Sequence, residues 1–138
     1  FRFSRVSSGW NWFALQLADG QELMYYQLLD MAGNAHASSA GNWTDAGAGQ
    51  HAIAPADIRL EVVRSWTSPA GVSYPVEWRL RYQQYDWRVQ ALVDAQWMNL
   101  SIPYWEGAVD IRDWSQDRLL GYGYLETVRD TAGALPAP

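Results

Sequence analysis

The sequence predicts an all-β protein: one antiparallel barrel or sandwich of about eight strands. Three observations predict it. Apolar residues recur with a period of two along most of the chain. Turn-forming residues punctuate those runs at the spacing expected of short antiparallel strands. No stretch holds a helical period beyond one turn near Pro55-Ala56-Asp57.

The clearest strand lies within residues 71–83. Val72, Tyr74, Val76, Trp78, Leu80 and Tyr82 alternate there with Ser73, Pro75, Glu77, Arg79 and Arg81. One face is aromatic and aliphatic and the other is charged, as in a half-buried antiparallel strand. Pro75 has no N–H for a ladder, so it belongs at a sheet edge or where that side faces no partner. Residues 58–66 repeat the alternation less cleanly, with Arg64 out of phase. Residues 10–17 and 22–29 flank Ala18-Asp19-Gly20-Gln21, which reads as a hairpin turn. Residues 86–93, 104–112 and 119–128 complete the strong set, with a polar turn around 113–117. Residues 35–44 are a weaker candidate because small side chains dominate. The segment 41–49 (GNWTDAGAG) reads as a flexible loop, and 131–138 as a frayed tail after a single domain at 1–130. Gly121 and Gly123 share one face of a strand, which suits a close backbone approach or a sharp bend.

The chain has 138 residues and a formal charge of −5. That is enough for one domain with a sizeable core. All ten basic residues are Arg, which excludes a Schiff-base or P-loop lysine, and no polybasic patch invites nucleic acid. The absence of Cys excludes disulfides, thiol nucleophiles and thiolate metal sites. No apolar run is long enough for a membrane-spanning helix. The chain starts at Phe1 rather than Met, which reads as a processed product, an excised domain or a partial chain.

Aromatic residues reach 14%, with nine Trp. Indole and phenol rings bury large areas and line apolar sites while keeping one polar edge. Eight strands close around a space wide enough for one small ligand. The reading from residues alone is therefore a hydrophobic-ligand site inside or at the mouth of a barrel, set against a simple Trp-rich core. Trp10 and Trp12 share one strand face, with Tyr26 a neighbour across the hairpin. Glu106 stands between aromatic residues in Tyr104-Trp105-Glu106 and is the candidate proton donor, with an Arg ion pair as the competing role. Glu126 presents the same choice. His36 and His51 have no companions at metal-ligand spacing, so no metal is expected, and both read as loop histidines. No Ser occupies a nucleophile elbow and no phosphate loop is present.

Six strings in order carry a family resemblance: GWNWFALQL from Gly9, DGQELM from Asp19, SWTSP from Ser65, YPVEW from Tyr74, YWEGA from Tyr104 and GYGYLE from Gly121. Together they resemble the carotenoid 1,2-hydratase and AttH-type (predicted secreted hydrolase) family, and more narrowly its C-terminal lipocalin-like domain. The resemblance implies a lipocalin-like barrel and a periplasmic or secreted setting. It also implies a second such barrel, in the same polypeptide or a partner copy. The chemistry it implies is cofactor-free, acid-catalysed hydration or isomerisation of an alkene in an isoprenoid or polyene-like ligand. The resemblance places the family's acid motif before Gly9 and in the 22–29 strand, which here reads ELMYYQ with no Asp after its tyrosines; the residues of this chain offer Glu106 as the acid, with Trp10, Trp12, Tyr26, Tyr104 and Trp105 lining the ligand. Two other readings accompany this one. The chain could be a non-catalytic half that packs on another barrel, or a carbohydrate-binding β module with Trp platforms.

Overall fold

A computed structural model describes residues 7–129. The expected tail at 131–138 lies outside the described residues. Ten strands form one antiparallel sheet: β1 (Ser7–Leu17), β2 (Glu22–Asp30), β3 (Ala40–Thr44), β4 (Gln50–Ile53), β5 (Ile58–Thr67), β6 (Ser73–Tyr82), β7 (Tyr85–Ala91), β8 (Trp97–Met98), β9 (Tyr104–Asp113) and β10 (Leu119–Arg129). The spatial order is β4-β3-β2-β1-β10-β9-β7-β6-β5, with β8 added beside β9. A single 3-10 turn at Pro55–Asp57 joins β4 to β5, where the sequence allows its one helical turn.

Each sequence-predicted strand is present, with differences at three places. Only Ala40–Thr44 of the expected 35–44 strand is extended. The expected flexible loop at 41–49 is instead most of a hairpin: β3 pairs with β4 from Gly41↔Ile53 to Thr44↔Gln50. Its turn is fixed by Asp45, whose Oδ1 accepts the N–H groups of Gly47 and Gly49. The third difference is closure. Among the described residues β4 and β5 are the two ends of the ladder, so the sheet curls into a half-barrel instead of a fully closed barrel.

The concave face is filled. Phe13, Leu15, Leu23, Tyr25, Trp78, Trp87, Trp105, Val109, Ile111 and Leu125 are all buried there. Ring packing is tight: Phe13 meets Trp78 edge-on at 5.2 Å between centroids, and Trp43 meets Tyr82 at 5.6 Å. Edge-to-face geometry of this kind is favourable for aromatic quadrupoles. Much of the aromatic content therefore builds the core.

Two backbone expectations are met. Pro75 lies at a register shift opposite Ser65 of β5, and the β6–β7 ladder begins only at Glu77. Its missing N–H thus breaks no bond to β7. Gly123 is needed for close approach, since a Cβ there would sit 2.2 Å from the Ala14 carbonyl oxygen and 2.9 Å from Leu15 Cδ2.

Candidate functional site

Strand alternation sorts the candidate residues. In β1, Asn11, Phe13, Leu15 and Leu17 face the core, so Trp10, Trp12, Ala14 and Gln16 face outward. Trp12 is 44% exposed. Register then carries this outer face across four strands. Trp12 lies opposite Tyr26 of β2 and Glu126 of β10, and Glu126 lies opposite Glu106 of β9. The next row is Leu28, Trp10, Val128 and Tyr104. Trp10, Trp12, Tyr26, Tyr104 and Glu106 therefore converge on one surface, and that surface is convex.

Trp105 is the exception. It points inward, is fully buried, and donates its indole N–H to the Asp94 carbonyl oxygen at 2.7 Å. Neighbouring residues in a strand face opposite ways, so Trp105 cannot share a face with Tyr104 and Glu106. It is a core residue. The expected location of Trp10, Trp12, Tyr26 and Tyr104, lining a barrel interior, is corrected: both faces of this sheet are aromatic, and of the expected lining residues only Trp105 is in the interior.

The two glutamates define the local electrostatics. Glu126 accepts a hydrogen bond from the Trp10 indole N–H at 2.9 Å. Glu106 makes no ion pair among the described residues, so the expected competing role beside an Arg is not realised there. Like charges directly opposed on neighbouring strands are destabilising, and a surface with no other use for them would not favour this pairing. Burial pushes the Tyr26 phenol up to about 12, so it is a neutral hydroxyl at physiological pH.

A groove of about 140 Å³ lies between Trp12, Ala14, Tyr124, Leu125 and the two glutamates. A second, of about 250 Å³, continues along Ala14, Gln16, Glu22, Met24, Gly123 and Tyr124. The apolar wall extends through Tyr122 and Tyr124, which are 55% and 58% exposed. These tyrosines are absent from the sequence-based set. Their signal was Gly121-x-Gly123: glycines facing the β1 backbone oblige Tyr122 and Tyr124 to face the other way.

A larger opening of about 590 Å³ lies at the hairpin end of the half-barrel, between Leu17, Gln21, Tyr85, Trp87, Arg118 and Leu120. Asp19, Asp86 and Asp113 also line it, and none of the candidate residues does. Neither histidine lines the grooves of the convex face. His36 accepts the Ser38 N–H at Nδ1, while His51 bonds Asp45 at 2.8 Å and stacks on Trp43. Among the described residues no three His, Cys, Asp or Glu side chains are grouped to hold a metal. No helix among the described residues is long and apolar enough to cross a membrane.

The model of the AttH-like family matches residues 2–128, nearly the whole chain. The chain belongs to the AttH-like family. Two solved structures share its fold. One is a protein described as an AttH from Nitrosomonas europaea, with 25% identity and a TM-score of 0.83 over 93% of this chain. The other is kievitone hydratase from Nectria haematococca, with 19% identity and a TM-score of 0.69 over 91% of this chain. The chain spans 41% and 40% of the lengths of those two proteins. No curated protein sequence gives a significant match. The half-barrel is thus the lipocalin-like fold of AttH-type proteins, and one structural relative is a hydratase.

Proposed function

We propose that the convex face of β2, β1, β10 and β9 is one wall of an apolar-ligand site, and that a second lipocalin-like unit supplies the opposite wall. The observation that carries this reading is the Glu106–Glu126 pair, opposed across β9 and β10 in a surface of Trp10, Trp12, Tyr26 and Tyr124. Trp12, Tyr122 and Tyr124 are exposed on it while Trp10 and Tyr26 are half-buried, and exposed apolar surface of this kind marks an interaction site. The lengths of the two structural relatives leave room for such a second unit.

The chemistry that suits this wall is alkene hydration without a cofactor. Covering the face would expel water and leave the Glu106 carboxyl as the group placed to deliver a proton. Glu106 donates that proton to an isolated double bond, giving a tertiary cation next to electron-rich rings that stabilise it. Water adds to the cation, and its surplus proton returns to a carboxylate of the pair. Atoms balance as one alkene plus one water giving one tertiary alcohol. The name of the hydratase relative supports this class of reaction, and the ligand class is an isoprenoid or polyene-like chain.

The test uses the full natural polypeptide with an acyclic polyene. Glu106→Gln should abolish formation of the alcohol while the polyene still quenches Trp fluorescence. Unchanged turnover rejects Glu106 as the acid. Retention on a polysaccharide column without polyene quenching would favour the carbohydrate-binding alternative.

A further inference from the structure

Among the described residues β4 and β5 end the ladder, and the two ends are unlike. β4 is four residues long, and so short an edge offers little ladder to another strand. β5 runs for ten residues. Its first half, from Ile58 to Val62, pairs in unbroken register with Tyr82 to Trp78 of β6. The register shifts only beyond it, between Val62, Arg64 and Ser65. Bulges spoil the second half as a template for further pairing, and the first half keeps a regular outer edge.

The side chains single out the same five residues. Ile58, Leu60 and Val62 lie opposite the buried Tyr82, Leu80 and Trp78, so they share the concave face. Ile58 and Leu60 pack against the core, but Val62 is 52% exposed. Arg59 and Glu61 alternate with them, point the other way and are exposed. Glu61 accepts a hydrogen bond from Arg81 and lies opposite Arg79. Arg59 lies directly opposite Arg81. Like charges opposed in this way are destabilising, and a carboxylate arriving beside Arg59 from across the edge would offset the repulsion.

We propose that the edge of β5 from Ile58 to Val62 pairs antiparallel with the same edge of a second copy of this chain, about a two-fold axis at Leu60. In that register Arg59 meets the partner's Glu61, Ile58 meets the partner's Val62, and Leu60 meets the partner's Leu60. Symmetry repeats the first two pairs on the other side of the axis. Charge and apolar pattern select this register over its neighbours. Centring on Arg59 or on Glu61 opposes like charges at the axis. Centring on Ile58 or on Val62 runs the pairing off the strand or into the bulge. A slip of one residue sets apolar side chains against charged ones. The interface lies at the sheet edge and is independent of the convex-face site.

The test is sedimentation of the full natural polypeptide over a range of concentrations, with amide exchange followed on the same samples. The wild type should form a dimer, and exchange at residues 58–62 should slow as concentration rises. Arg59→Glu turns two attractive cross-strand pairs into repulsive ones and should raise the dimer Kd by roughly tenfold or more. Its new carboxylate faces Arg81 of its own chain, so the fold is not weakened. Glu61→Arg should also dissociate the dimer. The two variants carry opposite charge at both positions, so their equimolar mixture should recover a heterodimer. If Glu61→Arg does not fold, the concentration dependence of exchange in wild type and its loss in Arg59→Glu decide the matter. A monomeric wild type, unchanged affinity in Arg59→Glu, or a mixture of folded variants that stays monomeric overturns the proposal. Protection of residues 58–62 that is independent of concentration also overturns it, since another part of the polypeptide would then cover the edge.

Discussion

Trp12 and Phe13 are adjacent aromatic residues on β1, and the structure gives them opposite fates. Phe13 is fully buried and packs edge-on against Trp78; Trp12 is 44% exposed beside Glu126 and Tyr26. Replacing each by Ala separates core from site. Truncating a buried Phe costs about 3–5 kcal/mol, because lost transfer energy and the residual cavity add. In a domain of this size each kcal/mol moves Tm by roughly 3–4 °C, so Phe13→Ala should lower Tm by roughly 9–20 °C. Trp12→Ala loses strand propensity and cross-strand contact, together about 1.5 kcal/mol at most, or roughly 5 °C. The assay is thermal unfolding followed by circular dichroism, with polyene quenching measured on the same samples. Trp12→Ala should weaken quenching while leaving the fold intact. If Trp12→Ala destabilises as much as Phe13→Ala, the assignment of the two faces is wrong.

Two further outcomes follow from the fold. Gly123→Val places a branched side chain against the Ala14 carbonyl and Leu15, so β1 and β10 must part locally; faster amide exchange confined to that strand pair is expected. Asp45 is held below the usual carboxylate range by His51, then by the Gly49 and Gly47 N–H groups. A depressed carboxyl contributes stability above its unfolded pKa and loses it as pH falls through the folded value. Asp45→Asn should therefore flatten the acid limb of the Tm-versus-pH profile below about pH 4, and an unchanged limb would contradict the hairpin clamp.

Much of this architecture is legible in the sequence because a period of two leaves little choice. Tyr74 to Tyr82 alternate so regularly that only a strand with one buried face accommodates them. Two strands escape this reading for physical reasons. Gln50–Ile53 has three exposed residues of four, so no apolar alternation marks it; the Trp43–His51 stack and the pairing with β3 make it a strand. Trp97–Met98 is two residues long and exists through β9 alone. The candidate site divides similarly. Alternation correctly groups Trp10 with Trp12, and register joins them to Tyr26, Tyr104 and Glu106. Which face is inward was not legible, because Trp and Tyr populate both. Adjacency in sequence groups Trp105 with Glu106, whereas the pleat puts the two on opposite faces. The Glu106–Glu126 opposition depends on the pairing of strands β9 and β10, which no local pattern specifies.

The most direct test of the convex-face site is the set of indole N–H signals in a ¹⁵N NMR spectrum, assigned by single Trp→Phe variants and followed during titration with a solubilised polyene. The Trp10 and Trp12 signals should shift or broaden while those of Trp78, Trp87 and Trp105 stay fixed. Perturbation of the buried indoles with Trp10 and Trp12 unmoved would place the ligand inside the half-barrel and contradict the account.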